Sequence, residues 1–101
     1  MLQDAFETLA DWPRGNAVRV VAVAWDRLEP GEAHRLRALG IDVGAVLKVA
    51  HRGIFGGRDP LAVEIGRMTV ALRRSHAVAI GVEAAPGEDV HPAVRVERPA
   101  L

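Results

Sequence analysis

The apolar residues of segment 36–49 change their spacing midway, and this change constrains the fold more than any other feature of the sequence. Leu36 and Leu39 lie three residues apart, as on one face of a helix, and Gly40 follows where a left-handed helix cap is favoured. After a short turn containing a second glycine, residues 46–49 (Val-Leu-Lys-Val) have the composition of a strand. The segment therefore predicts a helix, a glycine stop, a tight turn and a strand in quick succession.

The rest of the chain extends this pattern into a mainly β fold. Short runs rich in valine, leucine and isoleucine, separated by glycine turns, predict five strands at 17–24, 45–52, 61–66, 68–73 and 78–82. One helix is expected between the first two strands, over residues 30–39, and a helical turn at 73–76. Apolar spacing predicts a further N-terminal helical segment over residues 2–12. A small closed barrel is favoured over a sandwich, because only closure removes the edges of so small a sheet.

The last eighteen residues differ from the rest in pattern. Residues 84–101 hold three prolines and charges of both signs, with neither helical nor strand periodicity. We expect an extended or disordered tail after a single domain.

Composition excludes several classes of function. The 13 acidic and 13 basic residues cancel, so no global field attracts nucleic acid. The absence of cysteine excludes disulfides, thiolate catalysis and cysteine metal sites. No apolar run approaches the roughly 20 residues that span a bilayer, and the first residues lack a secretory pattern. We therefore expect a cytoplasmic protein that does not itself span the membrane; the sequence leaves a homo-oligomer open.

Histidine supplies the only soft metal ligands, and their spacing does not form a recognisable site. None of the four pairs with another at the i, i+4 spacing of a helical zinc site, and no cysteine can complete a tetrahedron. We expect no metal site among them, although convergence in the fold stays open: His34, His51, His76 and His91.

Two further motifs resemble catalytic or phosphate-binding patterns and fail on inspection. The segment 53–58 (Gly-Ile-Phe-Gly-Gly-Arg) lacks the lysine and the following helix of a phosphate loop, so a hairpin loop is expected over residues 53–60. Ser75 and His76 suggest a nucleophile and its base, but no acid can be assigned as the third member. We predict no catalytic residues and no cofactor-binding residues.

Basic and aromatic side chains offer a weaker hint of a binding surface. Four arginines could form a patch for RNA or for an acidic partner, although solvated helix and strand faces explain them equally well: Arg35, Arg37, Arg73 and Arg74. Three aromatic residues are too dispersed to form a base-stacking platform: Trp12, Trp25 and Phe55. Within segment 36–49 only Arg37, if exposed, is a candidate for contact with a partner.

Several segments together carry a family likeness. Residues 37–44 read Arg-Ala-Leu-Gly-Ile-Asp-Val-Gly, residues 52–60 end in Gly-Gly-Arg-Asp-Pro, and residues 68–75 end in Ala-Leu-Arg-Arg-Ser. With the Leu…Pro-Arg-Gly opening at 9–15, they resemble, in order and spacing, the FeoA family over about residues 9–83. The chain departs from the family at Arg14, where proline beside glycine is usual, and at Val43 before Gly44, where proline is usual.

The resemblance implies an SH3-like barrel acting in bacterial ferrous iron uptake. It implies a domain over 1–83 with its core at 9–83 and an N-terminal helical extension, followed by the tail 84–101. Its function would be docking to the cytosolic domain of a FeoB-type GTP-binding permease, without catalysis, cofactor or nucleic acid. The alternatives are a small-barrel module associated with nucleic acid or with a metal-dependent repressor, and a metal-binding protein or hydrolase whose histidines converge.

Overall fold

The computed structural model describes residues 7–13, 15–52 and 59–93. Six antiparallel strands form one sheet in the order β1-β6-β2-β3-β4-β5, so the mainly β prediction is confirmed. The strands are β1 (Glu7–Thr8), β2 (Ala17–Val23), β3 (Val46–Arg52), β4 (Leu61–Ile65), β5 (Met68–Leu72) and β6 (Ile80–Ala84). The helices are α1 (Pro30–Ala38) and α2 (Arg74–Ala77), and 3₁₀ turns occur at Leu9–Asp11 and Trp25–Arg27. Among these residues, no helix has the length and apolar character needed to cross a membrane.

Helix α1 begins and ends as its sequence dictates. Pro30 occupies the first turn, where the missing N–H costs nothing. At the other end Gly40 adopts a φ of +90°, and its N–H donates to Arg37 O over 3.0 Å. Ile41 N donates to Leu36 O over 2.9 Å, which completes a Schellman motif. Leu36 and Ile41 are both fully buried, so the cap also anchors the helix to the core.

The N-terminal segment differs from the helix expected over residues 2–12. Glu7 and Thr8 pair with Val82 and Gly81 of β6, which makes the segment an edge strand and the strand count six rather than five. A single 3₁₀ turn follows at Leu9–Asp11 and buries Leu9 and Ala10. Pairing with a distant strand thus outweighs local helical spacing in a segment too short to form a stable helix alone. Residues 1–6 lie outside the described part.

The last strand also begins later than the alternation of Val78, Ile80 and Val82 predicts. The α2 turn continues through hydrogen bonds from Val78 N to Arg74 O and from Ala79 N to His76 O. Val78 is consequently 42% exposed, and β6 starts at Ile80. Of the hairpin loop expected over residues 53–60, residues 53–58 lie outside the described part, while β3 and β4 on either side of the loop pair antiparallel.

The two ends of the sheet approach each other through α2. Arg74 follows edge strand β5, and its guanidinium donates to Ala10 O and to Asp11 Oδ1, both over 3.3 Å. These acceptors lie in the 3₁₀ turn that follows the opposite edge strand, β1. The curled sheet and α1 enclose a core of leucine, isoleucine, valine and alanine.

The segment expected to form an extended or disordered tail instead makes a turn at Pro86 and Gly87, where Glu88 N donates to Ala85 O over 3.1 Å, and then packs against the domain. We call residues 85–93 the C-terminal strap. Ala85 is buried, and His91 exchanges two backbone hydrogen bonds with Val46, of 2.9 and 3.0 Å. Ala93 N then donates to Gly40 O over 2.8 Å. The strap therefore crosses from β6 to the end of α1, in contact with the domain.

Candidate docking site

A cleft separates helix α1 from strand β5 and helix α2. Its volume is about 500 Å³, and we call it the α1–β5 cleft. Helix α1 supplies two charged side chains one turn apart, and the chain around β4, β5 and α2 supplies the rest. The lining residues are Glu32, Arg35, Asp59, Pro60, Ala71, Arg73 and His76.

Glu32 and Arg35 form the centre of this cleft. Glu32 Oε2 accepts a hydrogen bond from Arg35 Nη1 over 2.8 Å and lies 3.1 Å from His76 Nδ1. The Glu32 side chain is only 16% exposed, so its charge is held between two basic groups rather than offered to solvent. Arg35 Nη2 donates to Ala71 O over 3.1 Å, which ties α1 to the backbone of β5.

The second carboxylate of the cleft is also engaged. Asp59 Oδ1 accepts a hydrogen bond of 2.8 Å from Arg74 N, at the first residue of α2. Arg73, the residue before α2, is exposed and forms no ion pair within the described part of the chain. The Glu32 carboxylate is therefore largely shielded within the cleft, whereas Asp59 and Arg73 are both exposed.

The structure divides the predicted four-arginine patch. Arg35 and Arg73 meet in the α1–β5 cleft, but the Arg74 side chain turns away to Ala10 and Asp11. Arg37 is exposed, and its Cζ atom lies 4.0 Å from the centre of the Trp25 ring. This cation–π contact is outside the α1–β5 cleft.

The four histidines lie on four different parts of the fold: α1, β3, α2 and the strap. His34 is exposed on α1, His76 lies in the α1–β5 cleft, and His91 Nδ1 is 2.8 Å from Pro92 O in the strap. The side chain of His51 is outside the described set. Throughout the described ranges, no three histidine or carboxylate side chains converge as a metal site would require. The residue paired with His76 is Glu32, not Ser75.

Sequence reasoning missed a second cleft, of about 660 Å³, that the strap completes. Trp12, Pro13 and Lys48 line one side of it, and Pro86 and Glu88 line the other. The Trp12 Nε1–H is buried and has no hydrogen-bond partner among the residues that the structure describes. No local signal could reveal this cleft, because it depends on where the strap lies.

Close to this second cleft, Arg19 of β2 forms ion pairs with Glu88 of the strap and with Glu83 of β6. Its Nη2 lies 2.7 Å from Glu88 Oε2 and its Nη1 lies 3.4 Å from Glu83 Oε2. The hydrogen bond and the charge of Glu88, with a smaller effect of Glu83, raise the pKa of Arg19. This arginine is thus paired within the chain.

Comparison with known proteins identifies the relatives of this fold. The sequence matches the FeoA domain family over residues 7–84. A sequence search of functionally curated proteins finds no match.

Three solved structures are similar over most of their length. The FeoA protein from Chlorobium tepidum is 32% identical, with a TM-score of 0.67 over 88% of this chain and 80% of that one. FeoA from Stenotrophomonas maltophilia, solved with zinc, is 33% identical, with a TM-score of 0.61 over 75% of this chain and 88% of that one. That protein is described as a prokaryotic SH3 domain protein and a candidate ferrous iron transport activating factor. A FeoA-like protein from Clostridium acetobutylicum, 21% identical with a TM-score of 0.66 over 88% and 98% of the two chains, shares the fold.

Proposed function

Because this chain belongs to the FeoA family, we propose that it is an accessory factor of bacterial ferrous iron uptake that docks onto the cytosolic GTP-binding domain of a FeoB-type permease. The observation that carries this proposal is the family match over residues 7–84. It is supported by the description of the Stenotrophomonas maltophilia relative as a candidate ferrous iron transport activating factor. The proposal places the protein in the cytoplasm, where such a domain is accessible.

The chemistry of the α1–β5 cleft supports docking rather than catalysis. His76 is paired with Glu32, but among the described residues no nucleophile is hydrogen-bonded to this histidine and no three side chains could hold a metal ion. Arg73 at its rim is suited to steering a partner of opposite charge.

The nucleic-acid alternative has weaker support. Binding to a phosphate backbone depends on basic side chains that are available to neutralise it. Arg19, Arg35 and Arg74 are each paired with a carboxylate of this chain. The net charge of zero adds no general attraction.

Binding and transport measurements test the proposal together. We expect the purified protein to bind the detergent-solubilised permease with a Kd of about 1–100 µM, as a transient partner would. A strain that lacks the gene should take up less ferrous iron, and the wild-type gene should restore uptake. No binding at about 100 µM, with uptake unchanged in the deletion strain, would contradict the proposal.

A further inference from the structure

Strand β5 is the last strand of the sheet, and β4 is its only neighbour among the described residues. A two-residue turn, Gly66–Arg67, joins the strands, so the flanking pair Ile65–Met68 exchanges both ladder hydrogen bonds. The pairing type alternates along an antiparallel ladder. Thr69 and Ala71 are therefore non-hydrogen-bonded residues of this ladder, and their N–H and C=O groups point away from β4.

These outward groups are largely unused. Thr69 and Ala71 together present four outward backbone groups, two N–H and two C=O. One of the four, Ala71 O, accepts a hydrogen bond from Arg35 Nη2. Within the described residues no other backbone hydrogen bond reaches Thr69 or Ala71 from outside the strand ladder. Both residues are exposed, and Ala71 lines the α1–β5 cleft. The edge of β5 thus offers two donors and one acceptor beside a cleft.

The charges along this edge are basic. Arg67, in the turn before β5, and Arg73, just after the strand, are exposed and form no ion pair within the described ranges. Of the nearby acids, Glu32 is largely buried and paired with Arg35, whereas Asp59 is exposed and accepts a hydrogen bond from Arg74 N. Glu64, which lies opposite Thr69 on β4, faces Lys48 of β3 across its other side. The exposed charges that an approaching strand meets are therefore mainly basic, with Arg67 and Arg73 outnumbering Asp59.

We infer that the edge of β5 is the docking site, and that its occupant is an extended segment of the partner protein that carries acidic side chains. This inference rests on the proposed function and names the surface that it uses. The segment adds to β5 as a further strand, and its backbone pairs with Thr69 and Ala71. An acidic side chain of the segment draws the Arg35 guanidinium from Ala71 O, and that carbonyl becomes an additional acceptor.

Charge distinguishes this occupant from a second copy of the chain. Two β5 strands placed edge to edge would bring Arg67 and Arg73 of one copy close to the same arginines of the other. In the free protein Arg35 and these arginines protect the edge from such pairing, as charged side chains do on other exposed edges. An acidic partner strand meets no such barrier.

Two pairs of variants test the inference against the detergent-solubilised permease. Thr69→Pro removes an outward N–H and leaves the β4 ladder intact, because an edge strand tolerates proline there. We expect it to weaken binding roughly tenfold, whereas Thr69→Val, which keeps the N–H, should change the Kd by less than about twofold. Arg73→Glu should also weaken binding roughly tenfold, and Arg27→Glu, a matched exposed arginine outside the cleft, should not.

Hydrogen exchange on the unmodified protein gives an answer even if Thr69→Pro fails to fold. In the complex the amides of Thr69 and Ala71 should exchange at least about tenfold more slowly than in the free protein. The Val70 amide, already bonded to β4, should change little. Binding that leaves both amides unprotected, or that Thr69→Pro does not weaken, would overturn the inference and leave the proposed function standing. Failure of the unmodified protein to bind would remove both.

Discussion

Gly40 is the position where one added methyl group should have the largest effect outside the core. Its φ of +90° is one that side chains with a Cβ rarely adopt. A Cβ built there would overlap Pro92 Cβ of the strap and lie 3.2 Å from Pro92 Cα. Gly40→Ala therefore strains the helix exit and forces the strap away from it.

The expected loss of stability in Gly40→Ala has two contributions, the positive φ and the overlap with Pro92. A left-handed conformation costs an alanine about 1–2 kcal/mol, and the stiffer unfolded chain returns about 0.4–1 kcal/mol of that. Gly44 isolates this term, because its φ is +99° and nothing lies within 4 Å of its built Cβ. Gly44→Ala should thus lower the free energy of unfolding by about 1 kcal/mol. Crowding against Pro92 adds about 1–3 kcal/mol, so Gly40→Ala should cost about 2–4 kcal/mol.

Urea denaturation and calorimetry of both variants measure the difference. For a domain of this size 1 kcal/mol corresponds to about 4–8 °C in Tm, so Gly40→Ala should melt clearly below Gly44→Ala. In the background of Pro92→Gly, which removes the overlapping atom, the additional cost at Gly40 should largely vanish. Equal destabilisation by the two alanines, or an additional cost that persists without Pro92, would refute the role given to the strap.

Two further substitutions test individual contacts. Trp12→Phe should change the free energy of unfolding by no more than about 1 kcal/mol, because the loss of a buried N–H that lacks a partner among the described residues offsets the packing lost with the smaller ring; a loss above about 2 kcal/mol in urea denaturation would contradict this. Arg74→Ala should lower the free energy of unfolding by about 1 kcal/mol, since its bonds to Ala10 and Asp11 join the two ends of the sheet. Arg73→Ala is the matched control and should stay within about 0.5 kcal/mol; equal losses at both positions would argue against that joining role.

The sequence predicted the features that depend on neighbouring residues. The exit of α1 is determined within a few residues by Gly40, Leu36 and Ile41, and the structure confirms the helix stop. The N-terminal strand was missed because its partner, β6, is more than seventy residues away along the sequence. Local spacing carries no information about such pairing.

The same distinction applies to the candidate site. The pair Glu32–Arg35 is one helical turn apart and could be predicted from spacing. Its contacts with His76 and Ala71 join α1 to elements more than thirty residues away, so only the folded chain brings them together. The basic patch divided for the same reason, since Arg74 turns to the 3₁₀ turn after β1.

The strap has a consequence for how this protein can vary in evolution. The match to the FeoA domain ends at residue 84, yet the segment beyond it rests on Gly40 inside the domain. The residue at position 40 must therefore both adopt a positive φ at the helix exit and leave space for Pro92 of the strap. The residue at position 44 must only adopt the positive φ of its turn. A lineage that loses the strap is released from the steric part of this constraint at position 40. Residues 40 and 92 are thus expected to change together.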